Sequence, residues 1–239
     1  MVKSDERETL VVVPQRVELT PLVAALECHG HSPRTVRVGR LDCMLLADLQ
    51  ILLAVGGHGK VQFAVQTQHL IEQRPRLRAV ICCGAAGRLA DHLALGDVVV
   101  GTRCVEHDYR IRFVQRPIPC HPAHEATVDR IREVLSGLDA DFAVHFGPIA
   151  SGDEDIVDPA RAEELREGTG ALCVAWEGAG AARAATFNQL PFLELRVITD
   201  GADEAAPGNF RANLVRVMPN LARVLLQWPL IASVLDPPH

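Results

Sequence analysis

The sequence predicts an α/β fold in which helices cover both faces of a mostly parallel sheet. Two observations carry the prediction. Short apolar runs rich in branched residues alternate with longer helical segments along the chain. No linker-like or low-complexity stretch interrupts that alternation, so the 239 residues read as one domain, 1–239. A chain of this length buries a substantial core without disulfide or metal staples.

Residues 9–14 are a strand and 18–28 a helix. Residues 35–39 and 43–47 form a hairpin around Arg40-Leu41-Asp42. The apolar strand 51–55 turns through Gly56-Gly57-His58-Gly59 into a helix over 60–73. Residues 79–83 are a strand entering a small-residue turn, Gly84-Ala85-Ala86-Gly87. A strand over 97–105 follows the Gly96 turn, and the proline-rich stretch 116–122 is a surface loop. Residues 123–136 are helical, 143–150 extended and 160–167 helical. A strand over 171–176 leads into an Ala/Gly-rich helix over 178–188. Residues 192–198 form a buried strand that ends on Thr199, Asp200 and the turn-forming Gly201. The last helix spans 209–227 with a kink at Pro219, and the tail 235–239 frays.

Composition excludes several function classes. A net charge of -6, with one Tyr, two Trp and no basic block, argues against nucleic-acid binding. No apolar run reaches the roughly 18 residues of a membrane span, and the polar N-terminus lacks a signal-peptide pattern. Seven cysteines without a C-x-x-C fit reduced thiols and a cytoplasmic location. Cys82 and Cys83, adjacent in a strand, point to opposite faces.

Few motifs carry chemistry. Asp200 at the tip of a buried strand is either a catalytic carboxylate or the N-cap of the next helix. Glu177, just before a helix of small residues, faces the same choice; two strand-end acids in one sheet favour a shared site. Gly56-Gly57-His58-Gly59-Lys60 is not a phosphate loop, because Ala54 and Val61 stand where glycine and a hydroxyl residue are needed. The acidic turn Ser151-Gly152-Asp153-Glu154-Asp155 lacks the calcium-loop pattern. Cys120, His121 and His124 have a loose metal-like spacing, but a lone cluster beside two prolines reads as a surface loop over a zinc site, and no G-x-S-x-G elbow is present.

In order, the blocks Glu18, Gly57-His58-Gly59-Lys60, Cys83-Gly84-Ala85-Ala86-Gly87, Leu95-Gly96-Asp97-Val98-Val99-Val100, His107-Asp108, Ser151-Gly152-Asp153, Trp176-Glu177 and Arg196-Val197-Ile198-Thr199-Asp200 resemble the purine nucleoside phosphorylase/nucleosidase superfamily. Within it they are most similar to methylthioadenosine/S-adenosylhomocysteine nucleosidases. The resemblance implies a three-layer α/β/α sandwich with a mixed central sheet and cleavage of an N-ribosidic bond without cofactor or metal. It implies that Asp200 protonates the purine, that Glu18 activates water and that Glu177 holds the ribose hydroxyls. Arg196 takes a supporting role, and Gly84, Ala85 and Phe210 belong to the substrate site. It further implies a homodimer or higher oligomer, with the segment after His107-Asp108 reaching a neighbouring site.

Departures from that pattern matter. Asp155, followed by Ile156, stands where an aromatic residue stacks on the purine, and Trp176 replaces the usual methionine. The arginine and hydroxyl that phosphorylases place around the glycine turn are here cysteines and Ala85. Water is therefore the expected nucleophile. Phosphorolysis, or nucleoside binding without catalysis, are the rival readings.

Overall fold

The computed structural model describes residues 7–235. In chain order the elements are β1 (Glu8–Val13), α1 (Arg16–Cys28), β2 (Arg34–Val38), β3 (Leu41–Leu46), β4 (Ile51–Val55), α2 (Lys60–Gln73), β5 (Leu77–Arg88), β6 (Val98–Glu106) and β7 (Cys120–Pro122). Then come α3 (Glu125–Leu135), β8 (Val144–Ser151), α4 (Pro159–Thr169), β9 (Cys173–Ala175), α5 (Gly178–Phe187), β10 (Phe192–Asp200), α6 (Ala206–Leu225) and α7 (Trp228–Ile231). A 3-10 turn, Ala232–Leu235, follows; the expected fraying beyond it lies outside the described residues.

The strands form one 10-stranded sheet in the order β10-β6-β8-β9-β5-β1-β4-β3-β2, with β7 on β6. Strand β10 also pairs with β5, which closes half of the sheet into a ring. The sheet is mixed rather than mostly parallel. β5 runs parallel to β1 and β10 but antiparallel to β9, and β6 runs antiparallel to β10.

Strict alternation builds the two outer layers. Val11 and Val13 of β1 join Ile51, Leu53, Ile81 and Cys83 in a core shared with α1, α3 and α6. Leu10 and Val12 face the other way, with Leu52, Ala54, Val80 and Cys82, toward α2 and α5. A one-residue slip would exchange these sets, so burial on both faces pins the register. Cys82 and Cys83 thus do face opposite cores. Helix α5 lies close against α2 because its buried positions, including Ala181, Ala182 and Ala185, carry no bulk.

Three local expectations change. The stretch 84–87 is not a turn: it continues β5, with Gly84 opposite Arg196, Ala85 opposite Val197, Ala86 opposite Ile198 and Gly87 opposite Asp200. Pairing with β10 overrides the weak strand preference of Gly and Ala. The proline-rich loop ends in β7, where Cys120 and His121 pair with Val105 and Cys104. Helix α6 runs unbroken over Pro219. Four residues back, Val215 lies on the solvent face, where water can satisfy the carbonyl that Pro219 leaves without a donor.

Candidate active site

Residues 85–87 of β5 form the floor of a cavity of about 250 Å³, with Gly84 just behind it. Glu18 reaches it from α1, Asp200 from the end of β10 and Glu177 from the end of β9. Because β9 is antiparallel to β5, Glu177 and Asp200 approach this floor from opposite directions.

Glu18 sits at the third position of α1 and is 2% exposed. One carboxylate oxygen accepts from the backbone N–H of Gln15 at 3.1 Å, the local bond of a capping box. The other accepts from the N–H of Ala85 at 2.8 Å, locking helix to floor. Gly84 permits this approach, since a Cβ there would lie 2.8 Å from Glu18 Oε1. Burial, and then repulsion by Glu177, push the Glu18 pKa up to about 7.

Glu177 meets the opposite electrostatics. Burial opposes its charge, but His58 and Arg196 outweigh it and hold the carboxyl below its usual range. His58 Nδ1 lies 3.6 Å from Oε1, the N–H of Gly59 donates to Oε1 at 3.4 Å, and an Arg196 nitrogen donates to Oε2 at 3.4 Å.

Arg196 is fully buried behind this wall. Its Nε donates to Glu194 at 2.8 Å, and its terminal nitrogens reach the carbonyl of Ala85 at 3.2 Å and Cys82 Sγ at 3.2 Å. Glu194 is 1% exposed, and its Oε2 accepts no hydrogen bond of normal geometry. Burial raises its pKa against the pull of Arg196.

Asp200 is set up differently. Thr199 Oγ1 donates to Oδ2 at 2.7 Å and the N–H of Ala202 to Oδ1 at 3.0 Å. Burial outweighs both bonds and raises the pKa. Opposite it, Gly87 makes room, since a Cβ there would stand 2.8 Å from Oδ1. The Asn213 amide anchors the strand end by donating to the Thr199 carbonyl at 2.8 Å.

The cavity wall brings together Asp200, Glu18, Glu177, Trp176, Ala85, Asp155, Ile156 and Phe210. Arg196 and Gly84 stand behind it, as supports of Glu177 and Glu18. Sequence reasoning passed over Gln15, His58 and Glu194. The signal for Glu194 was its place two residues before Arg196, hence on the same strand face. His58 stacks on Trp176 with ring centroids 4.1 Å apart.

The glycine turn before α2 meets carboxylates of the protein itself. The N–H of Lys60 donates to Asp153 at 2.8 Å, and Lys60 Nζ to Glu106 at 2.9 Å. In the same acidic turn, Glu154 takes two bonds from Arg161, at 2.9 and 2.8 Å. Among the described residues no group of three or more His, Cys, Asp or Glu is arranged to hold a metal ion.

Comparison with known proteins gives this architecture a class. A family model described as the phosphorylase superfamily matches residues 10–228, and the chain belongs to that superfamily. Within the class, the similar proteins are nucleosidases and a related hydrolase. The 5'-methylthioadenosine/S-adenosylhomocysteine nucleosidase of Shewanella sediminis is 30% identical over 210 residues, covering 83% of this chain and 90% of that protein. The corresponding nucleosidase from S. pneumoniae, solved with a transition-state inhibitor, superposes with a TM-score of 0.80 at 27% identity, covering 92% of this chain and 97% of that one. Futalosine hydrolase of Helicobacter pylori superposes equally well, with a TM-score of 0.80 at 25% identity, covering 93% and 97%.

Proposed function

We propose that this chain hydrolyses the N-ribosidic bond of a purine nucleoside, working as a single domain. One observation carries the reading. Three carboxylates in different electrostatic settings share one cavity, and its described wall contains no Lys or Arg.

A departing purine needs a proton, because its anion is a poor leaving group. Asp200, whose pKa burial raises, gives a proton to the purine ring nitrogen. The bond from C1′ to the base breaks, its electron pair leaves with the protonated base, and the ribose becomes oxocarbenium-like. Glu177, held as an anion, accepts hydrogen bonds from the ribose hydroxyls and stabilises that positive charge. Water adds its oxygen to C1′ and loses a proton to Glu18, whose pKa of about 7 suits a general base near neutrality. Exchange with solvent returns Glu18 and Asp200 to their starting states.

Phosphate has no comparable seat. The cavity wall offers it no Lys or Arg, the anionic Glu177 repels it, and Arg196 spends its donors on Glu194, Ala85, Cys82 and Glu177. The deciding assay measures base release from a panel of purine nucleosides, with and without phosphate. Release at the same rate in both supports hydrolysis; strict dependence on phosphate establishes phosphorolysis. Binding of the panel without release establishes the non-catalytic reading.

The working form in this reading is a cytoplasmic homo-oligomer, a dimer at least. Among the described residues no helix is long and apolar enough to cross a membrane. The segment after Asp108 exposes Tyr109, Ile111, Phe113, Val114 and Ile118, a run of large apolar side chains that a second copy would cover. Sedimentation of the intact chain tests this: a species of one chain mass at micromolar concentration would remove it.

A further inference from the structure

We infer that this pocket selects a nucleoside whose 5′ substituent carries an oxygen acceptor, and that His58 is the donor that reads it. The inference rests on the nucleosidase reading, because that reading orients the sugar. With the base at Asp200 and the ribose hydroxyls at Glu177, the 5′ end meets the wall next to Glu177 and away from Asp200. Gln15, His58 and Trp176 line the cavity and are assigned to that side by their contacts, with Asp155 and Glu18 the further carboxylates that act on His58. Their contacts link them to one another, to Glu177 and to Glu18, and none runs to Asp200.

The His58 ring is placed in a definite way. Trp176 supports one face. Nδ1 is taken up inside the wall, 3.3 Å from the Gln15 amide nitrogen and 3.6 Å from Glu177. When the amide donates to Nδ1, the neutral ring carries its hydrogen on Nε2. When the ring is protonated beside Glu177, Nε2 carries a hydrogen as well. In both states Nε2–H is the donor left for a ligand. The Glu177 carboxylate favours the protonated state, which strengthens the donor further.

An alkylthio group would cover this donor without satisfying it. A site built around a hydrogen-bonding group rejects analogues that lack the partner far more strongly than an apolar pocket rejects an extra methylene. Trp176 backs one face of the His58 ring, so the edge of the imidazole is what His58 offers to a ligand on this wall.

Three adenine nucleosides separate the possibilities while keeping the base constant. 5′-Methylthioadenosine has no oxygen acceptor on its 5′ group, S-adenosylhomocysteine ends in a carboxylate, and adenosine has a hydroxyl. The expected result is that kcat/KM for at least one acceptor-bearing compound exceeds that for the methylthio compound tenfold or more. Which of the two leads tells whether a carboxylate or a hydroxyl meets His58. His58→Leu should lower that ratio at least tenfold, whereas His58→Gln, which keeps a donor, should hold most of it. A methylthio preference in the unaltered protein, or a ratio untouched by His58→Leu, would overturn the inference. The same ratios read as calorimetric affinities on the Asp200→Asn protein do not depend on turnover. Absence of hydrolysis across the wider purine panel therefore counts against the nucleosidase reading, and the affinity ratio decides the 5′ inference separately.

Discussion

The two ends of the cavity control their carboxylates by different means. At the ribose end Glu18, Glu177, Glu194 and Arg196 are all buried, and one guanidinium serves the carboxylates packed around it. Charge partners set the state of each group there: Glu177 is held down, and Glu18 is pushed up partly because Glu177 is charged. At the base end Asp200 has no cationic partner among the described residues; Thr199 and the Ala202 N–H donate to it, and the nearby charge it feels is the like charge of Asp203. Its state is set mainly by desolvation. The contrast teaches that a proton donor and a stabilising anion can share one cavity if one is desolvated without a cationic partner and the other is paired with cations.

Removing the proton donor should have the largest effect. Asp200→Asn is expected to cut kcat by about 10³–10⁴, in the range of a lost general acid, with the circular dichroism spectrum unchanged. A variant with near-normal turnover would break the assignment of the base end.

Next in size is the buried ion pair. Glu194→Leu leaves Arg196 without its shortest carboxylate partner and should cost about 3–5 kcal/mol of unfolding free energy, read by denaturant titration. Glu194→Gln, which keeps an acceptor for Nε, should cost distinctly less. Equal losses would mean that Glu194 acts through shape rather than charge.

A smaller effect, of opposite sign, is expected at Glu18. Its folded pKa of about 7 lies above the ordinary 4.5, so the folded state binds the extra proton between these values. Stability is therefore greatest below pH 4.5 for this group and declines as pH rises through about 7. The shift corresponds to about 3 kcal/mol, less about 1 kcal/mol for the accepted bond that an amide cannot replace. Glu18→Gln should thus be more stable than the unaltered chain at pH 8 by about 1–2 kcal/mol, while turnover falls. Loss of stability at that pH would show that the carboxylate is not strained.

The smallest effect refines the coupling. Glu177→Gln removes the repulsion on Glu18, so the acid limb of kcat/KM should move below its position near pH 7. An unmoved limb would uncouple the two groups.

Much of this arrangement was legible in the sequence. Asp200 and Glu177 stood out as acids following apolar strands, and the bounds of β4 and α2 followed from the glycines between them. The floor was not legible, because Gly84-Ala85-Ala86-Gly87 reads locally as a turn. It becomes a strand through pairing with β10, and its small residues make room for Glu18 and Asp200. His58 was hidden for a related reason: a histidine in a glycine turn shows its role only once Trp176, more than a hundred residues later, is packed against it.

The most direct test of the central claim follows the oxygen. Turnover of a purine nucleoside in ¹⁸O-water with phosphate present should yield a free sugar carrying one ¹⁸O atom at C1′, analysed by mass spectrometry after immediate reduction to prevent exchange. Recovery of a sugar 1-phosphate without solvent oxygen would contradict the account.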